Sequence, residues 1–109
     1  VHELSIAQSI VEAVCERAGD SRVRRLTLVV GRLAAVLPDA LRFCFEVCAE
    51  GTVLAGAELY IVEPAGRGRC RDCGREQGMN SLYDLCACGA AGLECVGGAE
   101  LLIKEMEIA

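Results

Sequence analysis

The sequence predicts an α+β fold: a three-stranded mixed sheet with two helices on one face and a cysteine-rich lobe inserted before the last strand. Three observations predict it. Apolar residues recur at helical spacing in two segments, they alternate in three others, and four of the eight cysteines crowd into one glycine-flanked stretch. At 109 residues the chain makes one domain, or one small domain with a smaller appendage.

Residues 3–18 read as the first helix, because Ala7, Ile10, Val11, Val14 and Ala18 share one face of a 3.6-residue period. Gly19-Asp20-Ser21 ends it, and Cys15 beside the stripe reads as a small buried hydrophobe. Residues 23–31 form a strand in which Leu26, Leu28 and Val30 alternate with Arg25, Thr27 and Val29. Pro38 suits the first turn of a second helix, which runs to about Glu50 and stops at Gly51. Leu41, Cys44, Phe45 and Cys48 make its inward face. Cys44 and Cys48 have a spacing that also suits a metal, but they interleave with Leu41 and Phe45 and read as core.

Residues 57–63 give a second strand, with Leu59 and Ile61 on one face and Tyr60 and Val62 on the other. Residues 100–108 give a third, whose charged end fits an edge strand. The lobe between them, 66–98, is flanked by Gly66, Gly68, Gly97 and Gly98 and is expected to hinge as a unit. The expected division is one α/β domain, 1–65 with 99–109, and one metal-binding domain, 66–98.

Within the lobe stand Cys70-Arg-Asp-Cys73-Gly74 and Cys86-Ala-Cys88-Gly89. Two thiolates a few residues apart reach one ion if the backbone folds back sharply, and Gly supplies the positive φ of that turn. Two such knuckles complete a tetrahedral S₄ site, which suits structural Zn²⁺ and leaves no position open for substrate. The lobe is therefore zinc-ribbon-like. The second pair is one residue shorter than Cys-x-x-Cys, and Cys95 is near enough to replace either of its sulfurs. Cys70, Cys73, Cys86 and Cys88 are the preferred set, because two tight pairs need the least chain ordering. A disulfide framework would require an oxidising compartment that no export signal indicates. A redox Cys-x-x-Cys usually opens a helix after a strand, whereas Cys70 follows Gly66-Arg67-Gly68-Arg69.

A net charge of −5 argues against nucleic acid as a partner. Inside the lobe Arg67, Arg69, Arg71 and Arg75 balance Asp72, Glu76, Asp84 and Glu94, and Tyr83 is its only aromatic. No apolar run approaches the ~20 residues of a membrane span. Cysteine usage of the metal type favours a reducing cytoplasm. With one histidine, no Ser-His-Asp set and no phosphate loop, the chain does not read as an enzyme.

That histidine is His2. Its imidazole, the amide nitrogens of residues 2 and 3 and a free amine at residue 1 can all reach one ion, and such a nitrogen set favours square-planar Ni(II) or Cu(II) over zinc.

Several segments together resemble the HypA/HybF hydrogenase-maturation proteins. They are His2-Glu3-Leu4-Ser5-Ile6, Gly31-Arg32-Leu33, Ala40-Leu41-Arg42-Phe43, Cys70-x-x-Cys73-Gly74, Cys88-Gly89 and Gly97-Gly98-x-Glu100-Leu101. The resemblance covers nearly the whole chain. It implies structural zinc on the paired cysteines and nickel on His2 and Glu3. It also implies delivery of that nickel to a [NiFe]-hydrogenase large-subunit precursor with a partner GTPase. The exposed edge strand fits a monomer or a homodimer formed by strand addition or exchange. The chain departs from the family pattern in two places. The usual second knuckle, Cys-Pro-x-Cys-Gly, is shortened and lacks Pro, which makes Cys86 the displaced ligand. Leu37 stands where many members carry an acid before the Pro of the second helix, leaving Asp39 as the nearest carboxylate.

The sequence therefore reads as a nickel metallochaperone. Two rivals compete: a zinc-ribbon protein–protein adaptor without transferable metal, and a thiol redox protein using Cys70 and Cys73.

Overall fold

The computed structural model describes residues 2–109, with the backbone alone at His2. The elements are α1 His2–Ala18, β1 Val23–Val30, α2 Pro38–Ala49, β2 Glu58–Val62, β3 Gly66–Cys70, β4 Glu76–Met79, β5 Leu93–Gly97 and β6 Leu101–Ile108. They form two three-stranded sheets, of order β2-β1-β6 and β4-β3-β5. The chain divides into two compact units. One comprises 2–28, Val36–Ile61 and Leu102–Ala109, the other Val29–Ala35 and Val62–Leu101.

In the first unit the stripe predicted for α1 is the buried one: Ala7, Ile10, Val11 and Val14 are all inside. The helix stops where Gly19 turns left-handed at φ 61, its N–H bonded to the Cys15 carbonyl at 3.0 Å. Pro38 opens α2, and Leu41, Phe45 and Ala49 are its buried residues. Cys44 and Cys48 border that face half-buried, as does Cys15 beside the α1 stripe. The helices pack against each other and share one core with Leu26, Leu28 and Leu59 of the sheet. Burying side chains such as Leu26, Leu28 and Leu41 contributes about 2 kcal/mol each.

The opposite face of this sheet stays wet. Arg25 of β1 lies 3.7 Å from Glu58 of β2 and 3.4 Å from Glu107 of β6, with its guanidinium 4.9 Å from the centre of the Tyr60 ring. Helices therefore cover one face only. The last strand, β6, is at the sheet edge, as its charged end predicted.

The second unit departs from expectation in its strands. The sequence placed none within 66–98, yet Gly66-Arg-Gly-Arg-Cys70 is the central strand of a sheet. It pairs antiparallel with β4 (Gly68 opposite Gln77, Arg69 opposite Glu76) and with β5 (Arg69 opposite Glu94, Cys70 opposite Leu93). Gly66, Gly68 and Cys70 face inward while Arg67 and Arg69 face water. The inward glycines leave room that other side chains fill: a Cβ on Gly68 would run into Met79 Sδ, and one on Gly66 into Leu33.

Gly66 and Gly98, which flank the lobe, are both buried, and a Cβ on Gly98 would meet the backbone of Ala65 and Gly66. Gly31 completes the crossing, since its own Cβ would strike the Gly98 carbonyl. Hydrogen bonds from Gly31 N–H to Glu100 O and from Leu33 N–H to Gly98 O, each 2.7 Å, join two of the backbone segments, and Arg32 N–H to Pro64 O at 3.1 Å ties in the third. These glycines permit close approach of backbone to backbone.

Candidate metal centre

Each knuckle is a local backbone construction. The Gly74 N–H closes onto the Cys70 carbonyl at 2.9 Å, and the Cys70 N–H returns to the Arg75 carbonyl at 2.9 Å. The second knuckle repeats this with one residue fewer. Gly89 N–H bonds to Cys86 O at 2.8 Å, and Cys86 N–H to Ala90 O at 3.1 Å. Gly74 at φ 75 and Gly89 at φ 90 supply the left-handed turns that the spacing required. The missing residue is thus absorbed as a tighter turn.

Four sulfurs converge. Cys70 Sγ lies 3.8 Å from Cys88 Sγ, and Cys73 Sγ 3.5 Å from Cys86 Sγ, with all four within 4.8 Å of one another. Sulfurs held tetrahedrally at the usual Zn–S length would be about 3.8 Å apart, so the four thiols fit one small soft cation. The first cysteine of each knuckle is buried, the second exposed. Cys95 stands apart on β5, its thiol donating to Gly97 O at 3.3 Å. No other group of His, Cys, Asp and Glu among the described residues gathers in this way.

Backbone amides prepare the sulfurs for negative charge. Cys73 N–H points at Cys70 Sγ at 3.4 Å, and Cys88 N–H at Cys86 Sγ at 3.5 Å. Chiefly through the Cys73 N–H, the Cys70 thiol is lowered from 9.0 to about 7, against the opposing effect of burial. Cys86 goes the other way. Its bond from Cys88 N–H pulls it down, but burial and the thiols of Cys88, Cys73 and Cys70 together push it up to about 12. Four thiols in contact cannot all ionise without a cation among them, and a bound metal removes that conflict.

One contributor was not found from sequence. Gln77 of β4 accepts the Ala87 N–H at 3.0 Å through Oε1 and donates through Nε2 to the Leu85 carbonyl at 3.1 Å. Its carboxamide grips the backbone on both sides of Cys86. Only the strand register brings it there, and no local motif announces it.

At the amino end the structure places Glu3 but not the ligand atoms of His2, whose side chain and the preceding residue lie outside the described residues. Glu3 sits in the first turn of α1, and its carboxylate accepts the Leu37 N–H at 3.2 Å. Leu37 is the N-cap of α2 and offers no side-chain cap of its own. Asp39 is exposed in the first turn of α2.

Comparison with known proteins gives a consistent result. The family model described as "Hydrogenase/urease nickel incorporation, metallochaperone, hypA" matches residues 1–108. A hydrogenase maturation factor HypA from Nostoc punctiforme is 48% identical over 108 residues, covering 99% of this chain and 96% of the relative. One from Geobacter metallireducens is 49% identical over 110 residues, covering 99% of each. The solution structure of the Ni metallochaperone HypA from Helicobacter pylori aligns with a TM-score of 0.67 at 22% identity. It covers 97% of this chain and 96% of that one, and bears on the fold alone.

Proposed function

This chain belongs to the HypA family of nickel-incorporation metallochaperones, not to a family of enzymes, and on that premise we propose that it carries Ni(II) as cargo on His2 and Glu3 and releases it during [NiFe]-hydrogenase maturation. In this reading Cys70, Cys73, Cys86 and Cys88 hold a structural zinc that is not transferred. Nickel handling falls to residues 1–65 with 99–109, and zinc binding to 66–98.

The observation that carries the reading is the closure of the sulfur site. Four thiols at tetrahedral spacing, with backbone amides directed at the buried pair, leave no coordination position from which an ion could be passed on. Transferable metal then needs another donor set. The amino end supplies the chain's one imidazole and amide nitrogens, which prefer a planar d⁸ ion. Glu3 would add a carboxylate for handover or docking. The recipients would be a hydrogenase large-subunit precursor and a nickel-delivery GTPase, in a reducing cytoplasm that suits eight cysteines without a disulfide among them.

Metal analysis of untagged protein after Ni(II) titration, with optical spectra, tests this. One nickel per chain in a planar nitrogen-rich spectrum, lost in His2→Ala with zinc retained, is the expected result. Sulfur-to-nickel charge-transfer bands would move the cargo site to the cysteines. Zinc without stoichiometric nickel would favour an adaptor that carries no transferable metal.

A further inference from the structure

The second knuckle has lost a residue from its loop, and the structure shows where the compensation lies. In a Cys-x-Cys turn the amide between the two sulfurs, Ala87 N–H, is directed away from the chelate. It is taken by Gln77 Oε1 at 3.0 Å, while the Leu85 carbonyl, just before Cys86, is taken by Gln77 Nε2 at 3.1 Å. The two bonded groups flank Cys86, the more buried sulfur of its pair. A planar carboxamide with both ends engaged fixes the position and the rotation of the segment it grips. The first knuckle, one residue longer, has no such clamp among the described residues. Both knuckles share the amide of the second cysteine directed at the first sulfur, Cys73 N–H at Cys70 and Cys88 N–H at Cys86, so the side-chain clamp is what distinguishes the short one.

We propose that Gln77 is the positioning residue of the short knuckle: by holding Leu85 and Ala87 it aims the Cys86 sulfur at the shared metal and sets how slowly that metal leaves. It touches no sulfur and acts through the backbone on either side of one ligand. Partners that orient metal ligands in this way typically change affinity by about 10–100-fold when removed. The rigid β3–β4 pairing places it, with Gln77 opposite Gly68 in the central strand.

The inference rests on reading the four thiols as a zinc site, and the experiment separates the two. Zinc-loaded full chain is mixed with a chromogenic chelator, and the release rate is compared for the parent, Gln77→Ala and Glu76→Gln. The last removes the charge from the neighbouring 3.3 Å cross-strand pair of Glu76, next to Gln77 on β4, with Arg69 of β3, and leaves the Gln77 carboxamide in place. Release about tenfold faster in Gln77→Ala, with Glu76→Gln near the parent, is expected. The Co(II)-substituted proteins give a second readout, because d–d bands report the angles of the S₄ set. They should shift in Gln77→Ala alone. Inserting Pro after Cys86 in the Gln77→Ala protein, which restores a full-length knuckle loop, should return release toward the parent rate. Equal release and identical cobalt bands in Gln77→Ala and parent would overturn the proposal. So would acceleration to the same degree by Glu76→Gln, since that is general loosening. A parent that binds no zinc at all would overturn both the site reading and the clamp.

Discussion

The Glu3 carboxylate accepts the Leu37 amide at 3.2 Å, so the first turn of α1 supplies the cap that the sequence before Pro38 lacks. The acid proposed for nickel is thereby also tied to the start of the second helix. A carboxylate at a helix N-terminus satisfies an orphan donor and complements the helix dipole.

Replacing Glu3 with Ala should therefore cost about 1 kcal/mol in urea denaturation, the usual value of a lost cap, before any metal is added. Glu3→Gln keeps an acceptor and should lose less than half of that. Equal stability of Glu3→Ala and parent would mean the contact does not persist in solution.

Among the cysteines, Ser in place of Cys70, Cys73, Cys86 or Cys88 should each remove the tightly held zinc, whereas Cys95→Ser should keep it. Structural zinc sites supply ~10–16 kcal/mol of apparent binding energy, so loss of one ligand is read directly as loss of bound metal. Zinc retained in Cys86→Ser but lost in Cys95→Ser would exchange the fourth ligand.

Zinc uptake should expel protons, and the sign follows from the two shifted thiols. Cys70, lowered to about 7, is already largely thiolate at pH 8; Cys86, raised to about 12, still carries its proton there. Affinity should rise with pH from 7 to 9, because the Cys86 proton must leave on binding. Below pH 7 it should fall more steeply, as Cys70 protonates too. In the metal-free chain the raised Cys86 favours folding below pH 9 and loses that contribution as pH climbs through 12. The lowered Cys70 favours folding above pH 9 and loses its contribution as pH drops through 7. Calorimetry in buffers of different ionisation enthalpy counts the protons, and pH-independent uptake would contradict this assignment.

Two neighbouring glycines should respond in opposite ways. At Gly98 an Ala side chain would meet Gly66 backbone at a residue already at φ 88, so Gly98→Ala should cost at least about 2 kcal/mol. At Gly97 a Cβ meets nothing within 4 Å, and Gly97→Ala should be close to neutral. Thermal unfolding of the two zinc-loaded variants decides it.

The helices and first sheet were legible because their apolar residues are periodic within one segment: Val14 and Phe45 can be assigned inward from near neighbours alone. The four thiols were legible for a similar reason, each knuckle being closed by its own glycine. The strands of the second unit were not. Gly66-Arg67-Gly68-Arg69 has poor strand propensity, and its inward positions carry no side chain because Met79 and Leu33 occupy that space from elsewhere in the sequence. Gln77 and the Glu3–Leu37 contact were hidden too, since each depends on a register or an approach that no short window contains.

Arg25, between Glu58 and Glu107 and against Tyr60, governs how the outer face of the first sheet meets other molecules. That face also carries Val62, so without the guanidinium the Tyr60 ring and Val62 would lie bare, while Glu107 would keep its pair with Arg24 and Glu58 its hydrogen bond from Tyr60. Held as it is, charge runs across all three strands and shields the ring. Colloidal behaviour is decided by such a layer: a sheet edge stacks or fibrillates only if incoming chains can strip the charges off it. Arg25 thus lays a charge over the part of that face where ring and aliphatic surface would otherwise lie open to an incoming chain.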